Sequence, residues 1–314
     1  MKWRTALLLM LGIALLSATA YSQGNASIVG TVTDPSGAVV PDAKVVITNT
    51  DTGIVRSTVT NTNGNYSAPE LPIGRYTVRV EAAGFRGYEQ TGLTLNVNAT
   101  VRVDAALQVG DIAETVTIEA NEVQVQSETN EVSQTITDTL VSELATNGRN
   151  ILQLTALVPG ASSSMPDFDS PMAQNQNRTI SFGGQRPDHN NWLINGGEAY
   201  DRGGGGIFIV SPSQDSLQEF KIMTSNYSAD LGQSSGGMVT MATKSGTKDF
   251  HGSAWEYMRN DKFDANPFFN NLYGRTKPEL RYNMFGFNIG GPVPLGQEKR
   301  TFFFYNMEWR RLIN

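Results

Sequence analysis

The sequence predicts a mainly β protein. It reads as a small β-sandwich, a mixed α/β segment, and then the first strands of an antiparallel transmembrane β-barrel. Three observations carry this. Short strands separated by turn signals at roughly ten-residue intervals fill Ser27 to Leu107. Helix and strand patterns mix after Thr135. Near the C-terminus, apolar and polar residues alternate over runs matching the ~9–11 residues of a tilted membrane strand.

Composition bounds the possibilities. The chain has 314 residues, room for two or three domains of ~100–200 residues each. Lys and Arg number 24 against 30 Asp and Glu, a net charge of −6, so no basic face for nucleic acid is expected. With no cysteine, disulfides, thiolate catalysis and Cys-based metal sites are ruled out. The two histidines are His189 and His251.

Residues 1–20 read as a signal peptide. Lys2 and Arg4 form a positive n-region, and Ala6 to Leu16 is an apolar run shorter than the ~20 residues of a spanning helix. Ala18-Thr19-Ala20 is a small-residue cleavage box. No later window approaches a second spanning helix, so any passage through a membrane is expected to use strands.

Residues 21–108 are expected to form the sandwich, with strands at Ile28–Thr33, Lys44–Thr48, Val55–Thr60, Arg75–Glu81 and Leu93–Val97. Asp34-Pro35-Ser36-Gly37, Asp51-Thr52-Gly53, Asn63-Gly64 and Pro72-Ile73-Gly74 supply the turns. Tyr76, Val78 and Val80 alternate with Thr77, Arg79 and Glu81, the period of a strand with one buried face. Asn61, Asn63 and Asn65 have calcium-loop spacing but no carboxylate, so a plain turn is expected. Gly30-Thr31-Val32-Thr33-Asp34, Pro41-Asp42-Ala43-Lys44-Val45, Thr62-Asn63-Gly64-Asn65-Tyr66, Gly74-Arg75-Tyr76-Thr77-Val78 and Gly84-Phe85 resemble the carboxypeptidase-regulatory-like domain. That resemblance implies a transthyretin-like sandwich. Some of its relatives bind carbohydrate.

Residues 109–134 read as a polar linker. Within it, Glu114, Thr115, Val116, Thr117, Ile118, Glu119 and Ala120 resemble the TonB box of TonB-dependent receptors, with Glu119 where relatives often carry Thr. The resemblance implies a TonB-type periplasmic energy-transducing partner. Strand addition suits such a peptide, because main-chain hydrogen bonds bear load along a pull.

Residues 135–247 resemble the plug of those receptors. Asp138 is expected to cap a helix through Leu144, and Asn150 a second from Ile151 to Leu157, stopped by Pro159-Gly160. Thr179 to Arg186 and Asn191 to Gly196 resemble the two signature plug strands, with Gly183-Gly184 in place of Arg-Gly and Asn195-Gly196 in place of Asp-Gly. Leu217 to Lys221, Thr224 to Asp230, Ser235 to Val239 and Thr243 to Thr247 resemble the plug end of the Oar-like branch. By that resemblance the tip residues Arg186, Asn190, Asn191, Tyr200 and Asp201 would meet a ligand: a small molecule such as an iron chelate, an oligosaccharide or a peptide. Gly203 to Gly206 lacks the Lys-Ser/Thr of a phosphate loop. His189 has no second ligand in its loop, and Ser234 and Ser235 have no evident base, so no metal, cofactor or catalytic site is expected.

Residues 248–314 read as the first three barrel strands. Phe303, Tyr305, Met307 and Trp309 alternate with polar Asn306, Glu308 and Arg310, and Phe285, Phe287 and Ile289 alternate with Gly286, Asn288 and Gly290. Phe250 to Arg259 is the third, with Trp255 and Tyr257 on the face opposite Glu256. Apolar outward and polar inward is the barrel pattern. The long polar Asn260–Glu279 connection suits an extracellular loop, and the short Pro292–Lys299 a periplasmic turn. Three strands leave open edges in lipid, so this reads as the N-terminal part of a longer receptor. The expected setting is the outer membrane, with barrel lipid as a partner and the sandwich in the periplasm. The competing expectation is a secreted or surface binding and adhesion module built on a carbohydrate-binding-like sandwich.

Overall fold

The computed structural model describes residues 26–110, 115–120, 128–144, 146–163, 179–201, 203, 207–232, 234–294 and 301–313. The expected signal peptide and Glu114 lie outside them, as does most of the expected periplasmic turn.

The first unit is a two-sheet sandwich. Its strands are β1 (Ala26–Thr33), β2 (Lys44–Asn49), β3 (Val55–Val59), β4 (Asn65–Leu71), β5 (Gly74–Glu81), β6 (Gly87–Leu95), β7 (Thr100–Arg102), β8 (Ala105–Ala106) and β9 (Thr115–Glu119). One sheet runs β4-β1-β7, with β8 also on β1, and the other runs β3-β2-β5-β6-β9. Alternation puts Ile28, Val32, Val45, Ile47, Tyr76, Val78 and Val80 between them, fully or almost fully buried. Each such aliphatic side chain contributes ~1.5–3 kcal/mol. Tyr66 closes the core by donating its hydroxyl to the Val103 carbonyl at 2.7 Å. The Asn61–Asn65 segment is a turn: the Asn61 side chain accepts from the N–H groups of Asn63 and Asn65, and Gly64 takes φ 69°. The expected Leu93–Val97 strand overlaps only the end of a longer β6, which stops at Leu95, while β4, β7 and β8 carry too little pattern to stand out alone.

The second unit is α/β. Its strands are β10 (Val132–Thr137), β11 (Ala161–Ser163), β12 (Ile180–Phe182), β13 (Asn191–Ile194), β14 (Gly197–Glu198), β15 (Tyr200–Asp201), β16 (Ile207–Phe208), β17 (Leu217–Ser225) and β18 (Met238–Thr243). The main sheet is ordered β10-β17-β18-β13-β14. Helix α1 (Asp138–Glu143) packs on β17 through Val141. Asp138 is its first helical residue and Thr137 the flanking one, so Asp138 supports the first turn by accepting from Thr139 N–H rather than capping from outside. Ile151–Leu157 is a 3₁₀ helix, and Asn150 caps it as expected by accepting from Leu152 N–H at 3.0 Å. Trp192 is fully buried and meets Phe208 edge-on at 5.6 Å.

The third unit is a meander of β19 (His251–Asn260), β20 (Arg281–Pro292) and β21 (Phe302–Ile313). The connection after β19 holds the short helix α2 (Phe268–Leu272), a feature hidden in a stretch that reads as polar loop. Phe263, Phe268, Phe269, Leu272 and Tyr273 are all exposed there. Asn266 and Lys277 fold the loop on itself, Asn266 by bonding Asn271 and the Arg275 carbonyl, Lys277 by donating to the Asp261 and Asp264 carbonyls.

Candidate functional site

Three strands present two chemically distinct faces. On one face Phe285, Phe287 and Ile289 of β20 pair with Trp309, Met307 and Tyr305 of β21. Their rings form a ladder: Phe285 stacks on Trp309 at 5.5 Å, and Phe287 lies 6.0 Å from Tyr305 and 6.2 Å from Trp309. This face is uncovered, and an aromatic sheet face in contact with lipid incurs no desolvation cost.

The other face grips the α/β unit through polar groups. Asn306 donates to Ser213 Oγ at 3.0 Å, and Asn288 to the Asp215 carbonyl at 3.4 Å. Arg259 donates to Asn147 Oδ1 at 2.9 Å. Arg149 pairs with Asp215 at 2.7 Å and sets its guanidinium 4.1 Å from the Tyr257 ring centre. On β20 and β21 the expected sidedness holds.

On β19 it reverses. Trp255 is opposite Gly286 and Tyr257 opposite Met284, on the side of the α/β unit, and Glu256 sits outward opposite Phe285. The cause is packing. Gly286 leaves the space that the Trp255 ring fills, where a Cβ would collide with it, and Arg149 holds Tyr257 inward. Since a one-residue slip flips every side chain, these contacts settle the face.

The sandwich docks at the end where β19 begins: Lys248 N–H donates to the Asp51 carbonyl at 2.9 Å. A buried polar clamp joins it to β17. Val97 N–H donates to Glu219 Oε2 at 2.9 Å, and Val97 carbonyl accepts from Lys221 Nζ at 3.3 Å. Lys221 is fully buried and pairs with Glu131 at 2.5 Å. Burial pushes the Glu219 carboxyl up to about 7, against the opposing pull of the Val97 N–H and of Lys221. Residue pattern alone does not reveal this clamp. The available signal is two charges, Glu219 and Lys221, inside the otherwise apolar run of a central strand.

The residues expected at the tip separate into two groups. β18 ends toward the sandwich, so its parallel partner β13 starts, at Asn191, on the far side. Arg186 is exposed there and Asp201 is half-buried, accepting from Gly203 N–H. Asn190, Asn191 and Tyr200, expected to meet a ligand, are buried in this fold. Asn190 spends its amide on the Ile180 carbonyl and the Gly237 N–H, Asn191 accepts from Trp192 N–H, and the Tyr200 hydroxyl reaches the Asp188 carbonyl at 3.4 Å. A buried amide left unbonded would cost ~1–3 kcal/mol, so these groups pin the tip from beneath.

Ser235, expected to lack a basic neighbour, has one: its Oγ lies 2.9 Å from His189 Nδ1. Gly236 N–H also donates to the His189 carbonyl. Together these bonds staple one loop to another, and among the described residues no carboxylate is bonded to the His189 ring. Asn195, in the position expected for Asp, takes φ 50° and ties β13 to Thr243 by accepting from its N–H at 2.9 Å.

The expected coupling peptide forms β9, the outermost strand beside β6. Thr115, Thr117, Ile118 and Glu119 are exposed, and Val116 and Ala120 are half-buried.

Residues 27–108 match the carboxypeptidase regulatory-like domain, and residues 242–314 match an outer membrane beta barrel domain. Over 249 residues the chain is 29% identical to the TonB-dependent transporter Oar of Myxococcus xanthus, covering 77% of this chain and 22% of that protein. The chain is related to the Oar-like TonB-dependent receptors. It spans 22% of the length of that relative. The siderophore receptor PirA of Acinetobacter baumannii is 20% identical with a TM-score of 0.40, covering 57% of this chain and 24% of that one. The outer membrane transporter YddB of Escherichia coli is 17% identical with a TM-score of 0.39, covering 51% and 24%. The match to an outer membrane beta barrel domain places the chain in the outer membrane.

Proposed function

We propose that the chain is the N-terminal part of an energy-coupled uptake receptor. In this reading residues 135–247 plug a barrel begun by β19, β20 and β21, and a TonB-type periplasmic protein pulls on Glu114–Ala120 to move the plug. A polar ligand, whether a small iron chelate, an oligosaccharide or a peptide, meets the outward tip at Arg186 and Asp201. The observation that carries the proposal is the division of labour on the three strands. Polar side chains reach inward to Ser213, Asp215 and Asn147, and aromatic ones line the outside. A plug held by hydrogen bonds and ion pairs, rather than by apolar packing, can be reset without exposing a hydrophobic surface to the channel.

The outer membrane has no nucleotide supply, so work must arrive mechanically. A peptide that joins a partner's sheet edge carries force through its main chain. Replacing Val116 and Ile118 with Pro removes two N–H donors from that strand. Binding to the purified periplasmic partner should then disappear while the sandwich stays folded. Undiminished binding of the doubly substituted protein removes the coupling role from this peptide.

A further inference from the structure

Thr115–Glu119 is already in use as a strand. It runs parallel to β6 with Thr115 opposite Gly87, Thr117 opposite Glu89 and Glu119 opposite Thr91. Ala120 N–H continues the pairing by donating to the Thr91 carbonyl at 2.9 Å, and Ala120 packs at the margin of the sandwich core. One edge of its main chain is therefore occupied. The grip is shallow, because Ile118 is 44% exposed and only Val116 and Ala120 turn inward to any extent. A short edge strand with little apolar burial belongs to the least stable part of a fold and opens locally at small cost.

We infer that the β6 edge of the sandwich is a holding site for the coupling peptide, and that the periplasmic partner acquires the peptide by strand exchange with β6. The exchange rests on reading Glu114–Ala120 as the coupling peptide; the docking onto β6 does not. Two observations favour exchange over addition to the free edge of β9. Ala120 packs against the sandwich core, and half-buried Val116, opposite the buried Tyr88, lies on the same side of the strand, so the side chains a partner would read are turned inward. A partner pairing with the free edge would also pull on β6 and load the sandwich instead of the plug. The sandwich thereby sets a threshold, because the apparent affinity equals the intrinsic affinity scaled by the undocked fraction.

The cysteine-free chain allows a clean test. Glu89→Cys with Thr117→Cys places one thiol pair on directly opposed residues. Strands ~4.8 Å apart bring such Cα atoms into disulfide range. In the full chain this pair should oxidise readily, and the oxidised form should bind the purified periplasmic domain of the TonB-type partner at least tenfold more weakly than the reduced form. Release is tested by Glu89→Pro. The Thr91 carbonyl points at β9, so strand alternation points the Glu89 N–H the same way, while Tyr88 and Gln90 keep their pairing with β5. That variant should bind the partner about tenfold more tightly, as for a peptide docked roughly nine-tenths of the time. Amide hydrogen exchange gives a readout without the partner: residues 115–120 should be protected in the native chain and unprotected in Glu89→Pro. Absent protection, or failure of the disulfide to form, overturns the docking. Equal partner binding by oxidised and reduced forms overturns the exchange. A docked peptide that binds no partner in any form refutes the coupling reading, and the exchange with it.

Discussion

Replacing Glu219 with Gln should remove a defined part of the protein's pH dependence. In the native fold Glu219 Oε2 accepts from Val97 N–H, and Oε1 has no hydrogen-bond partner among the described residues. Lys221 spends its charge on Glu131, so it offsets the burial of Glu219 only in part. The carboxyl is raised from its ordinary 4.5 to about 7. A proton on Oε1 neutralises the buried group and leaves Oε2 free to keep the Val97 bond. Between those two values the folded chain holds a proton that the unfolded chain has released. The resulting stabilisation is therefore complete below the unfolded value and is lost as the pH rises through about 7. At about 1.4 kcal/mol per pKa unit, the full swing is about 3 kcal/mol.

Gln has nearly the same shape, can still accept from Val97, and does not titrate. Urea unfolding of the chain in detergent at about pH 5 and about pH 8 should show the native protein losing about 2–3 kcal/mol more than Glu219→Gln over that interval. Carboxylates elsewhere contribute equally to both proteins and cancel in the comparison. Identical pH slopes for the two proteins would refute the claim that Glu219 is held protonated at the junction.

Two further predictions concern the β19–β21 sheet and its grip on the α/β unit. Met307→Arg puts a charge in the middle of the outward ladder opposite Phe287, and it should cost about 2–4 kcal/mol of membrane-inserted stability if β21 faces lipid; heat-modifiable mobility in detergent gels reports it, and normal assembly of the variant would contradict that orientation. Arg149→Ala leaves Asp215 largely buried without its cation and Tyr257 without its guanidinium, so unfolding of the α/β unit should become easier by about 3 kcal/mol, with Asp215→Asn in the same chain restoring part of the loss.

Much of this architecture was legible without coordinates, because period-2 alternation is a local property. A strand with one buried face must place apolar residues at every second position, so Tyr76, Val78 and Val80 announced a sandwich strand, and Phe285, Phe287 and Ile289 a strand with one uncovered apolar face. The Asn61 turn and the Asn150 cap were equally readable, since both are side chains bonding to main-chain N–H groups two to four residues away. The sidedness of β19 was not readable in this way. Its aromatic residues satisfy the alternation on either face, and only the room above Gly286 and the reach of Arg149 decide between them.

The same boundary runs through the functional residues. Sequence by itself determined that a sandwich, a Thr- and Val-bearing peptide and a barrel-type alternation follow one another, because each is written within a few tens of consecutive residues. Only the tertiary structure decided that Asn190 and Asn191 are buried pins, that Ser235 meets His189, that Val97 is clasped by Glu219 and Lys221, and that the peptide lies along β6. Those facts depend on pairs far apart in the chain. Residue type and spacing carry no record of which distant partner will satisfy a polar group; burial imposes that choice when the units pack.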